Sequence, residues 1–181
     1  GAGFEMVDYH DFLKPIMATD VEVGYDGKVY VSDFVKLNWD GTSGGGRIYT
    51  VSDPERLKDP AVQQVKELFK KGFKDRKTDE LVQLLAHADQ RVRQRAQFAL
   101  AERGKDSLTP LAGVALESKV QLARLHAIWG LGQLGRNNPN ALKPLVELLT
   151  AGDDEVRAQA ARVIGEHKYA GSEAQLLKLL G

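Results

Sequence analysis

Among the side chains in this sequence that could do chemistry, three arginines stand out because they recur at one helical offset. Arg93, Arg124 and Arg157 fall in register, separated by 31 and then 33 residues. On stacked helices such residues form a ladder, and two chemistries fit it. One is an anion-binding stripe. The other is internal: each guanidinium ties down a loop between two helices, with Asp89 and Asp153 as candidate acceptors. Ser118-Lys119 stands where the middle aspartate would be. Loop ties are the expected role. Arg91, Arg93, Arg95 and Arg103 also concentrate positive charge on one segment, as a basic DNA-binding face would. The other two register copies do not continue that patch, and 25 basic residues are balanced by 25 acidic ones. Nucleic acid is therefore not an expected partner.

The remaining polar constellations are weaker. Glu166-His167 is one acid–imidazole pair, and His10, His87 and His126 share no ligand spacing with it, so no metal centre is expected. Asp20, Glu22, Asp26 and Asp33 could suggest calcium, but the calcium-loop pattern is missing and Asp26 is explained by a turn. Gly44-Gly45-Gly46 lacks the Lys-Ser/Thr that would hold phosphate and magnesium, so it reads as loop. Cysteine is absent, which excludes disulfides, thiolate metal sites and thioether-attached haem within these 181 residues. No apolar run approaches the ~18 residues of a membrane span. Nothing at the start resembles a signal peptide, since Glu5, Asp8 and Asp11 interrupt it. No catalytic residue and no cofactor site is expected in this chain.

The elements that position these residues follow from periodicity. Residues 1–19 are weakly patterned and read as irregular. Val21, Val23 and Tyr25 alternate with polar residues, Asp26-Gly27 follows, and Val29 and Val31 alternate again. That pattern predicts a hairpin with a type I′ turn. The run from Asn38 to Gly46 reads as loop, and Arg47–Val51 as a third strand. Residues 1–52 thus form a small antiparallel β segment, and a meander of this size is marginal alone. Residues 53–77 are a linking helical region, with Asp59-Pro60 as a helix start and Gly72 as its end.

From residue 78 onward the pattern is helical and repeats. Thr78 and Asp89 are predicted N-caps, and Ser172 a third. Ala96, Ala127 and Ala160 each stand three residues after a ladder arginine. A small residue at a fixed offset, recurring every thirty-odd residues, signals stacked helical hairpins. This resembles HEAT repeats. The expected fold is mainly α: a right-handed, HEAT-like α-solenoid of about three and a half hairpins over residues 78–181, preceded by the β meander. The last half repeat, with Leu176, Leu177, Leu179 and Leu180, suggests a piece of a longer protein.

On a helical wheel, Ala123, Ala127 and Gly130 face the core, whereas Leu125, Ile128 and Trp129 point away from it and Phe98 aligns with Trp129. A helix apolar all round is covered on both sides. Two covers are open: the β meander of the same chain, or another domain or subunit. On the second reading Phe98, Leu125, Ile128 and Trp129 are partner contacts.

The junction carries a finer likeness. Asp53-Pro54-Glu55-Arg56-Leu57-Lys58-Asp59-Pro60, then Leu81-Val82-Gln83-Leu84-Leu85, then Arg91-Val92-Arg93 and Arg124-Leu125-His126-Ala127-Ile128-Trp129-Gly130-Leu131, resemble the middle of planctomycete-type membrane-bound dehydrogenases. In that family a β-propeller precedes HEAT repeats and a cytochrome-like domain with a CxxCH haem motif follows. The resemblance implies that Asp20–Val51 is a last propeller blade and that the parent works outside the cytoplasm. One blade cannot supply a propeller active site. The resemblance therefore implies a non-enzymatic scaffold that makes protein contacts within a larger oxidoreductase. The other readings are a dehydrogenase fragment whose site lies elsewhere, and a nucleic-acid-binding module.

Overall fold

The computed structural model describes residues 6–34 and 45–179. The expected loop from Asn38 to Gly46 lies mostly outside the described residues, as does Leu180. The chain divides into two compact units, Gly1–Lys66 and Glu67–Gly181.

In the first unit, β1 (Ala18–Val23), β2 (Val29–Phe34) and β3 (Gly46–Val51) form an antiparallel meander in the order β1-β2-β3. Val23 pairs with Val29, and Val29 with Val51. The Asp-Gly hairpin is there, but its turn is not type I′. Gly27 N–H donates to Gly24 C=O, and only Gly27 has positive φ (+81°), while Asp26 does not. This is the three-residue solution, a type I turn closed by a left-handed glycine. Asp26 Oδ2 accepts from Tyr30 Oη at 2.9 Å, so this carboxylate is occupied by its own hairpin. A Cβ on Gly27 would stand 2.6 Å from Val62 Cγ1, so the turn is seated against the chain just after the Arg56–Lys58 3₁₀ turn. Within the strands only Val31 and Asp33 are buried, and Asp33 accepts from Met17 N–H at 2.9 Å.

Helix α1 (Pro60–Lys71) follows and ends at Gly72, as its positive φ requires. The second unit is a stack of helical hairpins. The first pair is α2 (Thr78–Leu84) with α3 (Gln90–Glu102), and the second is α4 (Leu108–Glu117) with α5 (Gln121–Gly135). In the third, α6 (Lys143–Glu147) pairs with α7 (Asp154–Glu166). The short α8 (Glu173–Lys178) comes last. Pro144 in the first turn fixes where α6 starts, and α6 is little more than a turn, flanked by 3₁₀ turns at Pro139–Leu142 and Leu148–Thr150.

Asp89 caps α3, accepting from Arg91 N–H at 2.8 Å and from Val92 N–H, and Asp153 caps α7 through Val156 N–H. Two predicted caps act otherwise. Thr78 is the first residue of α2 rather than its cap, and its hydroxyl accepts from Arg103 Nη1 at 2.8 Å. Ser172 stands at the cap position of α8 but spends its hydroxyl on Tyr169 C=O.

The stack is held by rows of equivalent positions. Val92, Ala123 and Val156 form one buried row, Ala96, Ala127 and Ala160 a second, and Leu100, Leu131 and Ile164 a third. Alanine in the middle row lets neighbouring helices approach, and the flanking rows fill the space between them. Helix α5 is the centre: it packs against α3 on one side, α7 on the other, and α4 and the Pro139–Leu142 turn behind. The chain is therefore mainly helical, an α-solenoid preceded by a small antiparallel sheet.

Candidate interaction face

The ladder arginines point into their own hairpins. Arg93 Nη1 donates to His87 C=O and Ala88 C=O, both at 2.7 Å. Arg124 Nε donates to Ala115 C=O at 2.9 Å, and Arg157 Nη1 to Ala151 C=O. Each guanidinium satisfies carbonyls at the end of the leading helix or the loop that follows it, where no helical partner remains. The expected acceptors Asp89 and Asp153 are not used, because both carboxylates cap helices. Arg91 takes the free edge of Asp89, and its guanidinium holds that carboxyl below the usual range. Arg157 reaches Asp154 instead. Carbonyl acceptors explain why the middle arginine needs no aspartate. Arg93 is also buried, which removes it from any anion-binding stripe.

The four proposed contact residues separate into two classes. Ile128 is fully buried and Leu125 is 6% exposed, so neither is open to a partner. The reason is geometric: a wheel identifies one buried face, but a central helix in a stack is enclosed on three. Phe98 and Trp129 remain half-exposed on the free side of α3 and α5. The equivalent position on α7 is Arg162, which is paired with Glu166.

Beside these aromatics runs a polar network that the periodicity did not reveal. Gln97 Oε1 lies 2.8 Å from His126 Nδ1, and Gln97 Nε2 donates to Gln133 Oε1 at 3.2 Å. The amide oxygen can only accept, so His126 carries its proton on Nδ1. Trp129 Nε1 donates to Gln159 Oε1 at 2.9 Å, and Gln159 Nε2 to Glu155. The His126 ring meets Trp129 edge to face, 4.9 Å between centroids. Burial, with a smaller contribution from the Arg93 charge, pushes the His126 pKa down to about 4, so the ring is neutral near pH 7. Two glutamines thus join α3 to α5 and α5 to α7. Gln97 was detectable as an odd member of its row, since Ile128 and Ala161 occupy the same register. Nothing in the sequence paired it with His126.

Around Phe98 the surface is hollowed. One cavity of about 360 Å³ is lined by Phe69, Phe73, Lys74, Arg95, Phe98 and Glu102 among others. An adjoining one involves Phe98, Glu102, Gln133 and Arg136, and a third, between the ends of α3 and α5, includes Lys105. Phe69 and Phe73 meet edge to face at 5.4 Å, and the Arg76 guanidinium covers the Phe73 ring. Among the described residues no group of three or more His, Asp and Glu is placed to hold a metal ion, and no helix is long and apolar enough to cross a membrane. His167 Nδ1 turns to Val163 C=O rather than to Glu166.

No curated protein matches the chain. Residues 78–165 match the family model of HEAT repeats, and the match falls on the helical stack built on the Arg93, Arg124 and Arg157 hairpins.

Proposed function

We propose that this chain is a non-catalytic interaction scaffold, a HEAT-repeat module that holds other polypeptide in place within a larger protein. The observation that carries the reading is how the polar side chains of the stack are used. Gln97, His126, Trp129 and Gln159 bond repeat to repeat, and the ladder arginines bond loops. What the free side of α3 and α5 presents is shape, two half-exposed aromatics and a charged rim, which is the anatomy of a protein contact. The resemblance to planctomycete-type membrane-bound dehydrogenases supports a finer version, in which the partners are flanking redox domains and the chemistry lies in them. On that version this chain binds no cofactor and turns over no substrate.

The test has two arms. The purified chain is applied to an array of acidic, basic and apolar peptides, alongside the Phe98→Ser/Trp129→Ser variant. Saturable binding that the variant loses supports the reading, and no saturable binding to any class counts against it. In the second arm the chain is assayed for sugar- and alcohol-dependent reduction of an artificial electron acceptor. Turnover proportional to protein would show that the chain is catalytic.

A further inference from the structure

We propose that the groove floored by Phe98 is a docking site for an acidic polypeptide segment bearing an apolar side chain. This rests on the interaction-module reading and gives it a partner chemistry. The first observation is shape. The hollow beside Phe69 and Phe98 is about 360 Å³, and through Phe98 and Glu102 it continues to the hollow bounded by Gln133 and Arg136. Two open, adjoining hollows that share an aromatic floor accept an extended segment and cover one large side chain, the arrangement that concentrates binding energy at protein contacts.

The second observation is charge. Lys74 and Arg95 line the first hollow, Arg136 the second, and Lys105 the neighbouring one between the ends of α3 and α5, against one carboxylate, Glu102. All four cations are exposed, and none makes an ion pair among the described residues. The whole chain carries equal numbers of acidic and basic residues, so this excess is local. The neighbouring arginines are otherwise engaged: Arg91 with Asp89, Arg93 with loop carbonyls, Arg103 with Thr78 and Lys74 C=O. Four free cations around an aromatic floor complement a carboxylate-rich segment with an apolar anchor. A nucleic acid would need the positive strip to continue, and on α7 the equivalent of Phe98 is Arg162, already neutralised by Glu166.

The experiment is fluorescence anisotropy on the full chain with four probes. These are a fluorescein-labelled peptide alternating Glu with Leu and Phe, the same peptide with Lys for Glu, the acidic peptide with Ser for its apolar residues, and a single-stranded oligonucleotide. The variants are Arg95→Glu/Arg136→Glu and, separately, Phe98→Ser, each checked for unchanged helicity by circular dichroism. The acidic apolar peptide is expected to bind best, and charge reversal to weaken it about ten-fold or more. Phe98→Ser is expected to weaken it comparably. The proposal is overturned if the acidic peptide does not bind, if both variants bind it as well as the parent, or if the oligonucleotide binds as tightly. Binding of the basic peptide alone, mapped by hydrogen exchange to another face, would overturn the groove and leave the interaction module standing.

Discussion

Acidification should destabilise the helical stack through one histidine. The His126 imidazole is 4% exposed, donates to Gln97 Oε1 and lies edge-on to Trp129, and its pKa falls from 6.5 to about 4. The folded chain therefore binds fewer protons than the unfolded one between those values. Stability is fully present above pH 6.5 and is lost as the pH falls from there towards about 4. The gap sets a ceiling of roughly 3 kcal/mol, and solvent screening brings the working figure to about 2 kcal/mol. The assay is urea denaturation at a series of pH values, followed by far-ultraviolet circular dichroism. Carboxylates and the other histidines also titrate, so the comparison is with His126→Gln, which keeps a donor for Gln97 but has no proton to gain. The difference between the two curves should rise by about 2 kcal/mol between neutral pH and the acid end of the window. A flat difference, or an NMR titration placing His126 near the ordinary histidine value, would refute the claim that the ring is held neutral between α3 and α5.

Four further outcomes follow from particular contacts. Gly132→Ala should lower stability by about 1 kcal/mol despite alanine's better helix propensity, because the new Cβ would stand 2.8 Å from Cγ1 of the buried, β-branched Val163. Gly165→Ala, with nothing within 4 Å, should raise it by about 0.5–1 kcal/mol in the same urea melts. Lys168 closes α7 at φ 49°, with Tyr169 N–H on Ile164 C=O and Lys168 N–H on Gly165 C=O. Lys168→Gly should therefore raise the thermal midpoint, by about 1 kcal/mol of stability, since only glycine takes that conformation freely. Asp89→Ala should cost about 1–2 kcal/mol in the same assay, and Asp89→Asn less, because the amide still accepts from Arg91 N–H and Val92 N–H.

Much of this molecule was legible in one dimension. The recurrence of arginine and alanine at fixed offsets predicts stacked hairpins because a repeated unit meets the same neighbours in every layer. The buried rows through Val92, Ala96 and Leu100 and their counterparts show that regularity in three dimensions. Asp89 and Gly72 mark helix ends because capping is a local bond between residues a few positions apart. The Asp26-Gly27 hairpin was legible as a hairpin but not as a turn type. Turn type depends on which residues pair across the loop, and that depends on strand register.

Tertiary structure decided the rest. A periodicity argument turned Leu125 and Ile128 away from the core, towards a cover supplied by the β meander or by another domain, whereas the helices of the stack around α5 already bury both. A wheel counts faces of one helix and knows nothing of how many neighbours it has. The arginine acceptors were likewise beyond reach, since backbone carbonyls carry no letter in the sequence. Gln97, His126 and Gln133 lie 29 and 36 residues apart in their bonded pairs, and only the stacking of hairpins brings them together. By itself the sequence determined the repeat, its helix boundaries and its small-residue core, because those arise from short-range periodicity. Which aromatics stay open, which cations stay free and which amides bridge the layers were decided by packing, because each depends on what lies across the gap between helices.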